Sequence, residues 1–255
     1  MAREGLLEGK VAVITAAGSG MGRAAALRFS AEGATVVAAD IDEGKANAVA
    51  AEADGAIEPY VVDVADLAAL SGLYDHIRGK HGRLEVLYHH AGIPGPAGLD
   101  VEEADWQRAI DINMRAVFYS ATYGHRLLAD SGGGSMIFTS SISGIVGSPL
   151  SPMYSMTKGG VVLLAKALAL SLAPSGIRVN AICPGSVDTP MFPTFFERFS
   201  EEEAEKVKQA YISSIPLARI AQPEEIASAA LFLASDLSSY VTGHALPVDG
   251  GISAK

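Results

Sequence analysis

The chain reads as an α/β protein built on a doubly wound parallel sheet, a three-layer sandwich with helices on both faces. Two observations predict it. Short runs that are apolar at every position, such as Val11-Ala12-Val13-Ile14 and Met136-Ile137-Phe138, suit strands buried on both faces. Between them lie helical stretches long enough for the right-handed crossovers that join parallel strands.

Taken in order, residues 11–14 form a first strand and 22–32 an Ala-rich helix that stops at Gly33. Residues 35–39 are a second strand, closed by Asp40. A helix over about 43–53 and a third strand over 57–62 follow, ending before Asp63. A helix over 67–81 leads to a strand at 84–88. A Gly/Pro loop, 90–98, precedes a long helical stretch over 102–129. The strand 135–139, the helix 154–172 and the strand 178–182 come next, and a strand near 245–248 completes the sheet. No repeat, charge block or low-complexity linker interrupts the pattern, so one domain over 1–255 is expected.

At 255 residues, 49% hydrophobic and 19% charged, the chain can bury a large core. A net charge of -10 argues against nucleic acid or an anionic membrane as a partner. Cys183 is the single cysteine, which rules out an intrachain disulfide and a thiolate metal cluster; it reads as a small buried hydrophobe. The first ten residues lack the apolar core of a signal peptide, and no 18-residue apolar run is expected later, so a soluble cytoplasmic protein is expected.

Residues 15–22, Thr-Ala-Ala-Gly-Ser-Gly-Met-Gly, join the first strand to the first helix. Glycines there let a phosphate approach the backbone, and the helix N-terminus offers free N–H groups and a favourable dipole. The spacing is not G-x-G-x-x-G, because Arg23 stands where the last glycine would be. On the loop alone, a Gly-rich turn without a ligand fits equally well. Asp40 shifts the balance, since a carboxylate ending the second strand can accept hydrogen bonds from both ribose hydroxyls of a dinucleotide and repels a 2′-phosphate. Its neighbours Ala39, Ile41 and Asp42 offer no cation, so NAD is favoured over NADP. The plainer reading of Asp40 is a helix N-cap or turn residue. Asp63 could accept from an adenine amino group or cap the next helix.

The chemical content is concentrated in residues 140–158. Tyr154 and Lys158 are four apart, and on a helix their side chains leave from one face. A free phenol titrates at roughly pH 10, and an ammonium beside it favours the phenolate. Ser141 follows a buried strand, at the end where open α/β sheets bind ligands. A bare Tyr-x-x-x-Lys pair is more often a surface tyrosine beside a solvated lysine, so the rest of the chain gives it weight.

Together these stretches resemble the short-chain dehydrogenase/reductase family, over nearly the whole length. The matching positions are the loop 15–22, Asp63-Val64, His90-Ala91-Gly92, Asn113, Ser141, Tyr154, Lys158, Pro184-Gly185 with Thr189, and Val248-Asp249-Gly250-Gly251. The resemblance implies a Rossmann-type, NAD(P)-binding oxidoreductase and, for assembly, a homotetramer. It implies that Tyr154 is the general acid/base, that Lys158 lowers its pKa and holds the nicotinamide ribose, and that Ser141 hydrogen-bonds the substrate oxygen. Asn113 would anchor a water that relays protons towards Lys158. On the cofactor side it implies Ala16, Gly18, Ser19, Gly20, Met21 and Gly22 of the loop, Asp40 with Ile41, Asp63 with Val64, and His90. Ala91 and Gly92 would line the adenosine side, while Pro184, Gly185, Val187 and Thr189 would serve the nicotinamide end.

Two positions depart from the family's pattern. Ala16 replaces a usual glycine and is acceptable with negative φ, so a β-like backbone is expected there. His90 replaces an asparagine that ties adjacent strands, and must find another partner; a catalytic role for His89 or His90 is the weaker reading. Gly159-Gly160 inside a helix cost roughly 1 kcal/mol each relative to alanine, which implies close packing, such as a subunit interface.

Residues 189–224 form an insertion carrying Met191, Phe192, Phe195, Phe196 and Phe199, with a helix expected over 201–211 after the Ser200 N-cap. These phenylalanines suit a lid over an apolar substrate, or packing against the body or another subunit. Ser143, Ile93, Pro94, Met153 and Met191 are expected to border the pocket. None is charged, so a small-molecule substrate uncharged near the reacting carbon is expected. The expected activity is NAD-dependent interconversion of a secondary alcohol and a ketone, without a metal. The rivals are a 3-oxoacyl-thioester reductase, whose family members usually take NADPH, and a non-catalytic nucleotide-binding protein on the same fold.

Overall fold

Runs of Val, Ile and Ala with no polar position are stable only where both faces of a strand are covered. The computed structural model, which describes residues 5–196 and 199–254, places them so. The strands are β1 (Val11–Thr15), β2 (Thr35–Asp40), β3 (Ile57–Val61), β4 (Val86–His89), β5 (Gly134–Thr139), β6 (Ile177–Pro184) and β7 (Ala245–Val248). They form one sheet in the order β3-β2-β1-β4-β5-β6-β7, parallel throughout. Pro59 lies in the edge strand β3, where a missing N–H is tolerated.

Strand alternation divides the core in two. Val11 and Val13 face one apolar cluster, with Leu87, Phe138 and Val179; Ala12 and Ile14 face the other, with Val36, Val86 and Ile137. Helices α1 (Gly20–Ala31), α2 (Glu43–Glu52) and α8 (Pro223–Ala234) cover the second face. Helices α3 (Leu67–His81), α5 (Ala116–Asp130) and α6 (Pro152–Leu172) cover the first. The chain reverses direction across the sheet between β1 and β4, so a crevice opens beyond their carboxyl ends.

Three stretches differ from the sequence expectation. The helix expected over 102–129 is α4 (Glu103–Ile110) and α5 joined by one π-helical turn, Asp111–Arg115. The helix expected over 201–211 is α7 (Glu201–Ser214), begun by a Ser200/Glu203 capping box. Helix α8 was not anticipated, although Gln222 and Glu225 form a second capping box and Pro223 opens its first turn. The expectation of no long apolar run is also corrected. Residues Pro152–Ser175 are apolar and long enough to cross a membrane, yet Tyr154, Lys158, Val161, Ala165 and Ala169 are buried, with α6 packed against β5 and β6.

Candidate active site

Pro152, with its fixed φ, opens α6 and starts the helix two residues before Tyr154. The preceding turn, Ile142–Gly144, seats directly on α6, since a Cβ at Gly144 would strike the Lys158 backbone. Ser140 Oγ donates to the Lys158 carbonyl at 2.7 Å and locks this arrangement. Ser141, Tyr154 and Lys158 thereby meet at a cavity of about 300 Å³ beyond the carboxyl ends of the strands. Among the described residues, Lys158 is the one charged side chain that lines it.

Lys158 Nζ donates to the Thr139 carbonyl at 2.9 Å and stands 5.7 Å from the centroid of the Tyr154 ring. Burial brings the Lys158 ammonium down to about 8. Burial also pushes the Tyr154 phenol up to about 12, and a hydrogen bond with Ser141 opposes that rise. Desolvation dominates, and the compensation comes from Ser141. Ser141 Oγ also accepts from Ser143 N at 3.1 Å.

Asn113 sits in the π turn, fully buried. Its Oδ1 accepts from Ile93 N at 2.8 Å, and its Nδ2 donates to Ile93 O at 2.9 Å. The side chain thus clamps the backbone beside Gly92, and a Cβ on Gly92 would crowd both Lys158 Nζ and Asn113 Oδ1. Gly160 of α6 faces Met114 in the same chain. A Cβ there would meet the Met114 methyl at 2.9 Å, the movable end of a flexible side chain.

At the nucleotide end the β-like backbone expected at Ala16 is contradicted, for its φ is 54°. Its carbonyl turns onto Gly22, where a Cβ would collide with it and would also crowd the His90 ring. Position 16 therefore bends the loop in the left-handed region, and alanine bears the strain. Gly20 has a φ of 51° and begins α1, behind Ser19, whose side chain leaves the helix N-terminus uncapped. Gly18 N donates to Asp40 Oδ2 at 2.8 Å, and a Cβ on Gly18 would strike that carboxylate. Asp40 Oδ1 accepts from Asp42 N at 3.0 Å, while Asp42 itself caps α2. Bare glycines, free N–H groups and a carboxylate ending β2 form a cradle that fits a dinucleotide.

The first turn of α2 brings Lys45 against Gly18, with its ammonium 3.4 Å from Asp42 Oδ2. Asp63 is exposed and accepts from Ala65 N at 2.9 Å, whereas α3 is capped by Asp66. Val64 is buried and Ile41 is exposed.

His90 finds its partners. Its Nδ1 lies 2.8 Å from Thr139 Oγ1, and Thr139 Oγ1 donates to Tyr88 OH at 3.0 Å, tying β4 to β5. Thr15 Oγ1 accepts from both His90 N and Ala91 N at 3.0 Å, tying β1 to β4. Burial, aided by the Lys158 charge, holds the His90 imidazole down at about 3.

The cavity runs from Ala16, Ser19, Gly20 and Met21, past His90 and Gly92, to Pro184, Gly185, Val187 and Thr189. Of the residues expected at the substrate end, Ser143 and Met191 line it; Ile93, Pro94 and Met153 do not. Met153 is buried within the first turn of α6, and Ile93 is held by Asn113. The wall that sequence reasoning left undivided is supplied by Phe192, Phe195 and Phe196, with Val207 and Tyr211 of α7. The Phe195 ring meets Tyr154 edge-on at 6.1 Å between centroids. Residues 207 and 211 are one helical turn apart, the signal that could have placed α7 over the cavity. Thr15 and Thr139, which organise the floor, had no such signal.

A family model described as Enoyl-(Acyl carrier protein) reductase matches residues 15–253. The chain is 40% identical over 250 residues to a 3-oxoacyl-(acyl-carrier-protein) reductase, FabG, from Thermotoga maritima, covering 96% of this chain and 98% of that protein. It is 37% identical over 251 residues to a cyclohexanol dehydrogenase from an Acinetobacter species, covering 96% of each. The crystal structure of levodione reductase superposes with a TM-score of 0.92 at 33% identity, covering 97% of this chain and 99% of that one. The chain belongs to the short-chain dehydrogenase/reductase family and is an oxidoreductase.

Proposed function

We propose that the protein interconverts a secondary alcohol and a ketone with NAD, using Tyr154 as the general acid/base. The observation that carries this is a buried phenol, hydrogen-bonded to Ser141 and flanked by Lys158, in a cavity with no other charged wall among the described residues. When bound, the nicotinamide supplies the hydride acceptor or donor and, when oxidised, a positive charge near the phenol. Tyr154 takes the hydroxyl proton in oxidation and returns it in reduction. Ser141 steadies the substrate oxygen, and Lys158 holds the ribose side of the site. Ala16 to Gly22 would hold the pyrophosphate, Asp40 the adenosine ribose, and Val187 with Thr189 the carboxamide. Apart from Lys158, the described wall is uncharged, which favours a substrate without an anion near the reacting carbon. Residues 189–224 act as a lid, within one domain of a cytoplasmic homo-oligomer.

A second reading, a 3-oxoacyl-thioester reductase using NADPH, is favoured by the similarity to the Thermotoga maritima protein and by Lys45 beside the nucleotide loop. Initial rates separate the two. Cyclic and short secondary alcohols with NAD should outpace an acetoacetyl thioester with NADPH, and the reverse order would establish the second reading.

A further inference from the structure

The segment between Ser141 and Tyr154 brings two further serines to the cavity, Ser148 and Ser151. Ser155, in the first turn of α6, pins their backbone. Its Oγ accepts from Ser148 N at 3.0 Å and donates to the Ser151 carbonyl at 3.1 Å. Ser151 occupies the N-cap of α6, where a serine side chain ordinarily accepts from an N–H of the first turn, yet it makes no cap hydrogen bond. It is only 7% exposed, and among the described residues neither the Ser148 nor the Ser151 hydroxyl has a hydrogen-bond partner. The neighbouring serines are committed, Ser140 to the Lys158 carbonyl and Ser141 to Ser143 N.

Neither free hydroxyl has a task in the proton transfer, which Tyr154 and Ser141 serve, or in the nucleotide cradle at residues 16–22 and Asp40. The apolar lining at this end comes from Leu150, Met191, Phe192, Phe195, Phe196 and Val207. A wholly apolar ligand would strip water from both hydroxyls and leave them unpaired, whereas a ligand oxygen against them replaces that water. A serine hydroxyl is neutral and both donates and accepts, so it suits a hydroxyl or carbonyl oxygen and does not neutralise a carboxylate. We propose that Ser148 and Ser151 form a subsite for a second, uncharged oxygen of the substrate, so that the preferred alcohols are diols and hydroxyketones on an apolar skeleton. This inference rests on the roles proposed above for Tyr154 and Ser141, which hold the first oxygen.

The test sets cyclohexanol against the positional isomers of cyclohexanediol, each oxidised with NAD, so that the ring is constant and only the second hydroxyl differs. At least one diol should exceed cyclohexanol in kcat/KM by about tenfold or more, as expected for two neutral hydrogen bonds. In Ser151→Ala that ratio should fall by about fivefold to tenfold, the effect of one such bond. Ser148→Ala carries the same comparison should Ser151→Ala fail to fold. Without cofactor, Ser151→Ala should melt with the parent, because no cap is lost. A midpoint lower by about 2–4 °C, the size a lost cap gives in a chain of this length, would show that the hydroxyl caps α6 and would overturn the proposal. Diols no better than cyclohexanol, or a diol preference kept in Ser151→Ala, overturn it equally. Where the parent oxidises cyclohexanol and Tyr154→Phe does not, such a result removes this inference alone; a parent that oxidises none of these alcohols removes the reading beneath it as well.

Discussion

Ala16 shows how one residue can be visible in a sequence and its conformation hidden. The loop 15–22 was legible as a phosphate cradle, but the sign of φ at its second position depends on how the Ala16 carbonyl lies over Gly22. An L-residue in the left-handed region costs roughly 1–2 kcal/mol, part of which glycine gives back as unfolded-state entropy. Ala16→Gly should therefore stabilise the protein by about 0.5–1 kcal/mol, seen as a higher urea midpoint at unchanged m-value. A lower midpoint would mean the loop is not bent this way. Asp40 was legible for its place at the end of β2, but not for its bonds to the backbone of residues 18 and 42. Asp40→Ala should weaken NAD binding about tenfold or more, as expected for charge-assisted hydrogen bonds lost at one site. Isothermal titration with NAD and NADP checks this, and unchanged affinity would remove Asp40 from the cofactor site.

The informative elements are those whose regularity breaks. A continuous helix over 102–129 satisfies the apolar pattern equally well, so nothing in the spacing marks the π turn. The turn brings Asn113 onto both backbone groups of Ile93, and π turns often occur at functional sites. Asn113→Ala would leave that buried N–H and C=O unpaired, at a cost of about 2–4 kcal/mol for the two groups. Thermal melting should show the loss, and turnover should fall with it because Gly92 abuts Lys158. A variant that melts normally would show that Ile93 is held by something else. Helix α8 escaped notice for a different reason. Its Ala-rich face packs on α1, so its apolar signal resembles any small-residue stretch, and the Gln222–Glu225 box was its clearest mark.

Across the whole molecule the parallel sheet and its two helical layers were legible because strands buried on both faces leave a continuous apolar run. The cavity wall was less so, because side chains from α6, the stretch 190–196 and α7 meet only once the chain is folded. The fold also buries His89 and His90, both held at about 3 against an ordinary value of 6.5. Between pH 6.5 and 3 the unfolded chain binds protons that the native state refuses, so stability rises with pH there and is lost as pH falls. Glu58, held down to about 2, has the same sign but enters only below its ordinary 4.5. The contribution of these two histidines to the slope of stability against pH should approach about 2.7 kcal/mol per unit near pH 5 for two protons, and His89→Leu should remove about half of it. Urea unfolding from pH 7 to 4.5 measures this; an unchanged slope in His89→Leu would show that His89 is protonated in the native state. The account as a whole stands on the Tyr154 hydroxyl as the group that moves the proton. Removing that oxygen with Tyr154→Phe, and following both turnover and the quenching of protein fluorescence by NADH, tests it most directly. Turnover should vanish while NADH binding stays within a fewfold of the parent, and a Phe variant that still interconverts alcohol and ketone would contradict it.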